Sequence, residues 1–316
     1  MKRRHLLALA GAAVSAAAPA HAQKSATPKV GFLVAGDPEP SWTQFRKAMT
    51  DLGYVDGRTV RFEYRASTAD RSQLDELATV LVSLEVNVLV AVLTPAITAA
   101  KKATTKIPII FNGGAVETGL VKNVARPEGN LTGVFGATAA LAGKSVQLFH
   151  DLKPKAKALG VLLNAPDPFH VPLLREIDTV GRAEKIEIVP VMIKTPDELP
   201  AAFDELARRG VDGVMIQPSL PLAATTTMAM QYRLPAISFR REFAEAGGLL
   251  SLSSDFSDIY RTVAGYVDKV LKGAQPADLP VQQATRVELV VNQRTAKVLG
   301  LVLPPLFLAR ADEVIE

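Results

Sequence analysis

The chain has 316 residues, of which 48% are hydrophobic and 22% charged, and it contains no cysteine. This length exceeds that of one average domain and suits two, each with enough apolar material for a core. The lack of cysteine excludes thiolate nucleophiles, cysteine metal sites and disulfides, so an exported form would depend on its hydrophobic cores for stability.

The N-terminus has the three parts of a signal peptide. Three basic residues, Lys2 to Arg4, precede an apolar, alanine-rich run from Leu6 to about Ala18 and then the triplet Ala20-His21-Ala22. This order predicts export by the Sec or the twin-arginine route, with cleavage after Ala22. The apolar run is shorter than the roughly 18–20 residues that cross a bilayer. We therefore expect residues 1–22 to be a signal peptide and the mature protein to reside in the periplasm.

Most of the net positive charge of the chain comes from this leader. Residues 1–22 hold three basic and no acidic residues, so their removal lowers the formal net charge from +4 to +1. The mature chain therefore has no basic surplus that would indicate a nucleic-acid partner.

From the start of the mature chain, apolar strands alternate with helices. The first series is the strand KVGFLVAG, a helix over about Ser41–Leu52, the strand TVRFEY, a helix containing LDELATVLVSL, the strand VNVLVAVL, a helix starting at Thr94-Pro95 and the strand KIPIIF. The run from Val86 to Leu93 is continuously apolar and mostly β-branched, as expected for a strand buried on both faces. Thr94 suits the N-cap of the next helix, and Pro95 suits its first position.

The second series repeats this order. It is the strand ALGVLLN, a helix near Pro172–Glu184, the strand IEIVPVMI, a helix containing FDELARRG, the strand VDGVMIQ, a turn with Ser219, a helix and the strand RLPAISF. Equivalent features recur at a nearly constant offset, 127 residues from Pro108 to Pro235 and 125 residues from Thr94 to Ser219. Any α/β chain alternates strands and helices, but the constant offset favours two lobes of similar topology.

The sequence therefore predicts an α/β fold with two Rossmann-like lobes, whose parallel sheets are joined by a multi-strand hinge. We expect the N-terminal lobe to span residues 23–135, completed by about 252–278, and the C-terminal lobe to span residues 136–251, completed by about 279–316. Several crossings between lobes make a hinge that can bend and yet keep the lobes in register. These crossings are expected near Val134–Thr138, Ser251–Asp255 and Pro276–Gln282.

The lobes should face each other across one cleft. In parallel α/β sheets ligands bind beyond the carboxyl ends of the strands, so the strand-end loops of both lobes should surround this cleft. The loops are Ala35–Trp42, Leu93–Pro95 and Asn112–Glu117 in the first lobe, and Asn164–Phe169, Gln217–Ser219 and Phe239–Glu242 in the second.

Polar residues in these loops are candidates for ligand contacts, each with a structural alternative. Thr94 and Pro95, with Ser219 as the counterpart in the second lobe, could bind a carboxylate at a helix N-terminus or only cap the helix.

The loops after two further strands offer polar groups and a permissive backbone. Asn112, Gly113 and Gly114 either let a ligand approach exposed amides or form a tight turn. Asn164 and Asp167 could bond an ammonium or hydroxyl group, although Asp167 is also a good residue to start the following helix.

Aromatic and charged residues complete the set of ligand-binding candidates. Trp42, the only tryptophan, and Phe169 and Phe239 could stack on a ligand or pack in the protein. Arg240 could clamp a carboxylate in bidentate fashion or remain solvated. Asp255 could contact ligand or hold the hinge.

Several signals for cofactors or catalysis fail. Gly143-Lys144-Ser145 resembles the end of a phosphate-binding loop, but that motif requires glycine where the chain has Thr138. There is no G-x-G-x-x-G for a dinucleotide and no G-x-S-x-G for a nucleophilic serine. The two histidines left after cleavage, His150 and His170, do not have metal-ligand spacing. We therefore expect no cofactor, no metal and no enzymatic activity.

Several blocks of the sequence also resemble a known family. They are FRKAMTDLGYVDGRTVRFEYR, TPAITAAKKATTKIPIIF, TGLVKNVARPEGNLTGV, REFAEAGGLLSLSSDFSDIYR, YVDKVLKGAQPADLPV and VELVVNQRTAKVLGLVLPPLFLARADEVIE. Over nearly the whole mature chain they are similar to the substrate-binding proteins of ABC transporters, and most similar to the type assigned to tryptophan or tyrosine uptake. The resemblance implies a type I periplasmic binding-protein fold that closes on a small solute and delivers it to an ABC permease in the inner membrane.

One block departs from the family pattern. Members usually carry an Asp-Pro pair after the strand that corresponds to IPIIF, whereas this chain has NGGAVETGL. Gly113 to Val116 lack that aspartate, in a loop where a solute would bind.

Together, these observations predict a monomeric extracytoplasmic solute receptor of an ABC importer. Convergent helix starts and aromatic residues favour a small organic carboxylate, such as an amino acid, as its ligand. Two alternatives remain open. One is a sensory partner of a membrane receptor with the same fold, and the other is an exported α/β enzyme with Asp167 or Asp255 as general base, for which no partner acid or nucleophile is evident.

Overall fold

The computed structural model describes residues 27–67 and 71–316. The predicted signal peptide, residues 1–22, lies outside the described residues. The strands are β1 Lys29–Ala35, β2 Arg61–Ser67, β3 Val88–Val92, β4 Ile109–Asn112, β5 Leu131–Phe135, β6 Ala158–Asn164, β7 Glu187–Ile193, β8 Val214–Ile216, β9 Ala236–Ser238, β10 Leu250–Ser254, β11 Gln282–Gln283, β12 Val287–Asn292 and β13 Glu313–Ile315.

Helices cover both faces of the sheets that these strands form. They are α1 Ser41–Asp51, α2 Arg71–Ser83, α3 Thr94–Ala103, α4 Thr138–Leu152, α5 His170–Glu184, α6 Leu199–Arg208, α7 Leu222–Gln231, α8 Arg241–Glu245, α9 Phe256–Leu271, α10 Gln293–Leu299 and α11 Pro305–Leu308. Within the described part of the chain, no helix is long and apolar enough to span a bilayer.

The strands form two sheets with equivalent topology. The first has the order β11-β5-β4-β3-β1-β2, and the second has the order β13-β12-β10-β9-β8-β6-β7. From β5 to β2 and from β10 to β7 the two orders correspond strand for strand, as expected for a repeated strand–helix series. All pairs are parallel except that of β10 with β12. The prediction of two Rossmann-like α/β lobes is confirmed.

Each lobe has a hydrophobic core on either face of its sheet. The central strands are apolar along their whole length because helices cover both faces, and β3 is buried at every residue. Helix α9 packs on the first sheet beside α1, through Tyr260, Val263 and Val267, which are fully buried. A helix from the last quarter of the chain therefore completes the first lobe.

The described chain passes between the lobes at three short segments. They are residues 136–137 between β5 and α4, residue 255 between β10 and α9, and residues 284–286 between β11 and β12. The third segment was expected near Pro276–Gln282. This prediction is wrong, because Gln282 and Gln283 still pair with β5 of the first sheet. Residues 256–283 thus complete the first lobe and residues 287–315 the second.

Candidate functional site

A cavity lies between the two lobes, at the carboxyl ends of the strands of both sheets. It measures about 730 Å³ when the open space at its mouth is included. Strand ends after β1, β3 and β4 line one side, and those after β6, β8 and β9 line the other. Gly136 of one crossing segment, and Ser254 and Phe256 on either side of another, form part of its wall.

Most of the ligand-binding candidates meet at this cavity. Those that line it are Thr94, Asn112, Gly113, Gly114, Asp167, Phe169, Ser219, Phe239 and Arg240. Pro95 and Asn164 line an adjoining pocket at the cleft mouth, together with Gly36 and Lys194. Proximity places these residues where a solute would sit, and their contacts with a solute stay a prediction.

Arg240 is the cationic side chain of the cavity wall. It follows β9 and is only 5% exposed. Its Nε lies 3.4 Å from Glu242 Oε2, and its Nη2 donates to the carbonyl oxygen of Glu39 at 3.3 Å. Its Nη1 is buried without a hydrogen-bond partner among the described residues. A buried guanidinium N–H without an acceptor is costly, so this site favours an added anionic acceptor.

Asp167 links the loops after β6 and β8. It is 2% exposed; its Oδ1 accepts a hydrogen bond from the Phe169 amide at 3.0 Å, and its Oδ2 accepts from Gln217 Nε2 at 2.8 Å and Ser219 Oγ at 2.6 Å. Burial raises the pKa of Asp167, and these hydrogen bonds oppose that rise. The carboxyl group is thus a local structural anchor as well as part of the cavity wall.

The hydroxyl of Ser219 is committed to this anchor. Besides donating to Asp167, it accepts a hydrogen bond from Asn164 Nδ2 at 3.1 Å. Its proton therefore points at a carboxylate of the protein, which leaves it poorly placed as a donor to an anionic solute.

Helix α3 presents its N-terminus to the cavity, but its N-cap is not the residue expected from the sequence. Thr94 was expected as the N-cap, but the cap is Leu93, at φ 68°, and no side chain in the described residues bonds to this helix end. The positive φ of Leu93 lets the chain pass directly from β3 into the helix. Thr94 is thus the first helical residue, and its hydroxyl faces the Gly114 backbone. The helix dipole still favours negative charge at this end of the cavity.

Asn112 is held at the end of β4 by a fully buried tyrosine. Its Nδ2 donates to the hydroxyl oxygen of Tyr260 at 3.4 Å, a long hydrogen bond. Burial raises the pKa of Tyr260 to about 12, so the phenol stays neutral at physiological pH. α9 thereby positions a polar group in the cavity wall.

Trp42 lies outside the cavity, in an aromatic cluster of the first lobe. Its ring lies 4.9 Å from that of Tyr64, 5.2 Å from Phe32 and 5.7 Å from Phe62, measured between centroids. The expectation of stacking on a ligand is thus not matched by its position. The alternative, an anchor at the start of α1, agrees with these contacts.

Asp255 holds a crossing segment and also lies outside the cavity. Its Oδ1 accepts from the amides of Ser257 at 2.8 Å and Asp258 at 3.3 Å, which caps α9. Its Oδ2 lies 3.5 Å from Arg286 Nη1, in another crossing segment. Of the two roles expected for Asp255, its contacts fit the hinge.

Three further cavity residues, Asp37, Ser41 and Phe256, were not among the candidate side chains, although Asp37 and Ser41 belong to the loop Ala35–Trp42 that was expected at the cleft. Asp37 lies two residues after the end of β1, so the rule that ligands bind at strand ends could have singled it out. Phe256 follows a crossing segment, and no sequence pattern marks it as facing the cavity.

Comparison with known proteins assigns the chain to a family. The model of the family described as ABC transporter substrate binding protein matches residues 40–315. The chain belongs to this family. The resemblance drawn from the sequence is therefore confirmed, and the fold is that of type I periplasmic binding proteins. Proteins of this family bind solutes.

Individual relatives agree with this assignment. A protein named tyrosine-binding protein, from Clostridioides difficile (strain R20291), is 27% identical over 265 residues, which are 81% of this chain and 75% of the relative. A conserved domain protein from Vibrio cholerae is 25% identical with a TM-score of 0.84, over 92% of this chain and all of that chain. An ABC domain from Streptococcus pneumonia in complex with L-Trp is 24% identical with a TM-score of 0.83, over the same shares.

Proposed function

We propose that this substrate-binding protein is the extracytoplasmic receptor of an ABC importer that captures a small organic carboxylate, such as an amino acid, between its lobes. The leader of residues 1–22 directs export to the periplasm, and the mature chain works as a monomer that delivers the solute to a permease in the inner membrane. The described residues form the two lobes, which move relative to each other about the three crossing segments.

The observation that carries this proposal is the environment of Arg240. The guanidinium is buried in the cavity wall, and its Nη1 has no acceptor among the described residues. A carboxylate supplies two oxygens in the geometry that a guanidinium matches, and a charged pair shielded from water is stronger than one at the surface. The start of α3 adds a dipole of the same sign on the opposite lobe.

The rest of the cavity suits an apolar body attached to that carboxylate. Phe169, Phe239 and Phe256 line it, with Val34 and Val92 from the first lobe. Apolar walls with a few polar groups are usual for sites that enclose small organic ligands. A tyrosine-binding relative and a structure in complex with L-Trp support an amino-acid solute.

The proposed function depends on a difference between the solute's affinities for the closed and the open arrangement of the lobes. A solute that contacts both lobes at once binds more tightly to the closed arrangement, so binding shifts the population towards it. The permease would then distinguish the closed, loaded surface from the open one.

The test is a thermal-shift screen of the purified mature protein, refolded to remove solutes bound during expression. The panel pairs each carboxylate with an amine of the same body, for example L-tyrosine with tyramine and L-tryptophan with tryptamine. A solute at 100 times its Kd stabilises the protein by about 2.7 kcal/mol, which shifts the Tm by several degrees. We expect shifts with carboxylates and none with their amines. No shift across a broad carboxylate panel, or equal shifts with the amines, would contradict the proposal.

A further inference from the structure

We propose that the protein supplies two contacts of its own that hold the lobes closed, one on each side of the Arg240 pocket. We call them the closing contacts: Asp37 with Leu222, and Phe169 with Gly114. Gly114 is in this view the positioning residue that sets how far the lobes close. The inference rests on the proposed function, in which closing and solute binding are one event.

The first closing contact caps a helix of one lobe with a carboxylate of the other. Asp37 Oδ2, from the loop after β1, accepts a hydrogen bond from the amide of Leu222 at 2.9 Å. Leu222 is the first residue of α7, and no side chain of its own lobe caps that helix in the described residues. A carboxylate at a helix N-terminus gains both the hydrogen bond and the dipole. Opening the lobes breaks this contact and returns both groups to water.

The second closing contact depends on a missing side chain. A Cβ at Gly114 would lie 2.3 Å from Phe169 Cδ2 and 2.9 Å from Thr94 Oγ1. Non-bonded carbon atoms do not approach so closely. Phe169 belongs to the second lobe and is 5% exposed within that lobe's core, so its ring has little room to move aside. The first lobe therefore receives the ring only because residue 114 is glycine.

Backbone conformation does not explain this glycine. Gly113, beside it, has a φ of 151°, whereas Gly114 is not among the residues with positive φ. Alanine at position 114 would thus suit the backbone of the first lobe by itself. The closest conflict, with Phe169, arises across the cleft, whereas the contact with Thr94 Oγ1 lies within the first lobe and involves a side-chain oxygen that a change of rotamer can move.

The closing contacts act together with the solute through Arg240. Its Nη2 donates to the Glu39 carbonyl oxygen, in the same loop as Asp37, while Nη1 remains available for an acceptor. Solute binding and lobe closing therefore share one side chain. Because Asp37 and Phe169 favour closing without a solute, we expect the solute-free protein to populate the closed arrangement measurably.

The distance between two labels across the cleft tests this directly. The chain has no cysteine, so Glu76→Cys and Asp197→Cys introduce the only two labelling sites. Both residues are exposed. Glu76 lies two residues after Leu74, and Asp197 directly follows Pro196; Leu74 and Pro196 line the pocket at the cleft mouth from opposite lobes. Pulsed electron paramagnetic resonance on spin-labelled, solute-free protein then gives the populations of short and long distances.

We expect a short-distance population in the parent and about a tenfold lower ratio of short to long distances in Asp37→Ala and in Gly114→Ala. Asp37→Asn keeps a neutral acceptor and should have a smaller effect. Gly265→Ala is the matched glycine control, since a Cβ there would meet no atom within 4 Å. The double variant Gly114→Ala with Phe169→Leu should regain short distances, which loss of loop structure alone would not allow.

The inference is overturned if the solute-free parent shows only long distances, or if Asp37→Ala and Gly114→Ala reproduce the parent's distribution. The closing contacts and the proposed function are tested independently, because these distance measurements need no solute. Variants that shift the distances while no carboxylate raises the Tm would support the closing contacts and contradict the proposed function.

Discussion

Arg240 in the second lobe donates through Nη2 to the main-chain carbonyl oxygen of Glu39 in the first lobe, at 3.3 Å. One guanidinium therefore spans the cleft and still presents a buried Nη1 that no described residue accepts from. This relationship ties the recognition of an anion to the closed arrangement of the lobes, and several predictions depend on it.

Replacing Arg240 by Met should abolish tight binding of the carboxylate while preserving the fold. Loss of one member of a buried charged pair costs about 2–5 kcal/mol, so the Kd should rise about 30-fold or more. Calorimetric titration of the solute found in the thermal-shift screen measures this change.

The neighbouring residue provides a matched control. Arg241 pairs with Glu245, Glu288 and Glu313 rather than with cavity residues. Arg241→Met should lower the free energy of unfolding and leave the Kd nearly unchanged. If both arginine variants weaken binding equally, the specific role of Arg240 is refuted.

Removing the negative charge of Asp167 should destabilise the second lobe. Asn at this position has one acceptor oxygen where Asp167 accepts from Phe169, Gln217 and Ser219. An unmatched buried donor costs about 1–3 kcal/mol, so Asp167→Asn should lower the free energy of unfolding by that amount in urea titrations. Unchanged stability would show that these hydrogen bonds do not hold the two loops together.

Glu117 should make stability fall as pH rises. Its Oε2 is buried without a hydrogen-bond partner in the described residues, and burial raises the pKa of this carboxyl above its ordinary 4.5. The folded protein therefore binds this proton more tightly than the unfolded chain, so stability declines as pH rises from about 4.5 through the folded-state pKa.

The glutamine in Glu117→Gln cannot ionise, so this variant should not lose stability in this way as the pH rises. Its free energy of unfolding, measured in urea, should match that of the parent at pH 4 and exceed it at pH 7. Glu128→Gln removes the charge of an exposed acid and serves as the control variant. A gain for Glu117→Gln that is the same at both pH values would argue against ionisation as its cause.

Trp42 should matter for stability and not for affinity. Its ring packs against Tyr64, Phe32 and Phe62, outside the cavity. Trp42→Ala should lower the free energy of unfolding by roughly 2–4 kcal/mol, while the Kd for the carboxylate changes less than twofold. A large loss of affinity at unchanged stability would restore Trp42 as a ligand contact.

The lobes could be predicted because their strands carry strong signals. The apolar, β-branched run of β3 has few alternatives to a strand buried on both faces, and the constant offset between the two series reflects the matching order of the two sheets. The third crossing segment was misplaced because β11 is a two-residue strand of glutamines, which has no apolar pattern to reveal it.

Individual side chains were harder to predict than loops. Trp42 and Phe169 both lie near strand ends, but only tertiary packing decides that the first joins an aromatic cluster and the second meets the cavity. The helix cap is Leu93 and not Thr94 because Leu93 adopts a positive φ, which is rare for leucine and has no signal in the sequence. The role inferred for Gly114 depends on a ring from the other lobe, more than 50 positions along the chain.

The most direct test of the account is a crystal structure of the mature protein with the carboxylate that raises its Tm most. We predict that the carboxylate oxygens lie within hydrogen-bonding distance of Arg240 Nη1, with the rest of the solute between Phe169 and the first lobe. A solute bound outside the cleft, or bound inside it with its carboxylate directed away from Arg240, would contradict the account.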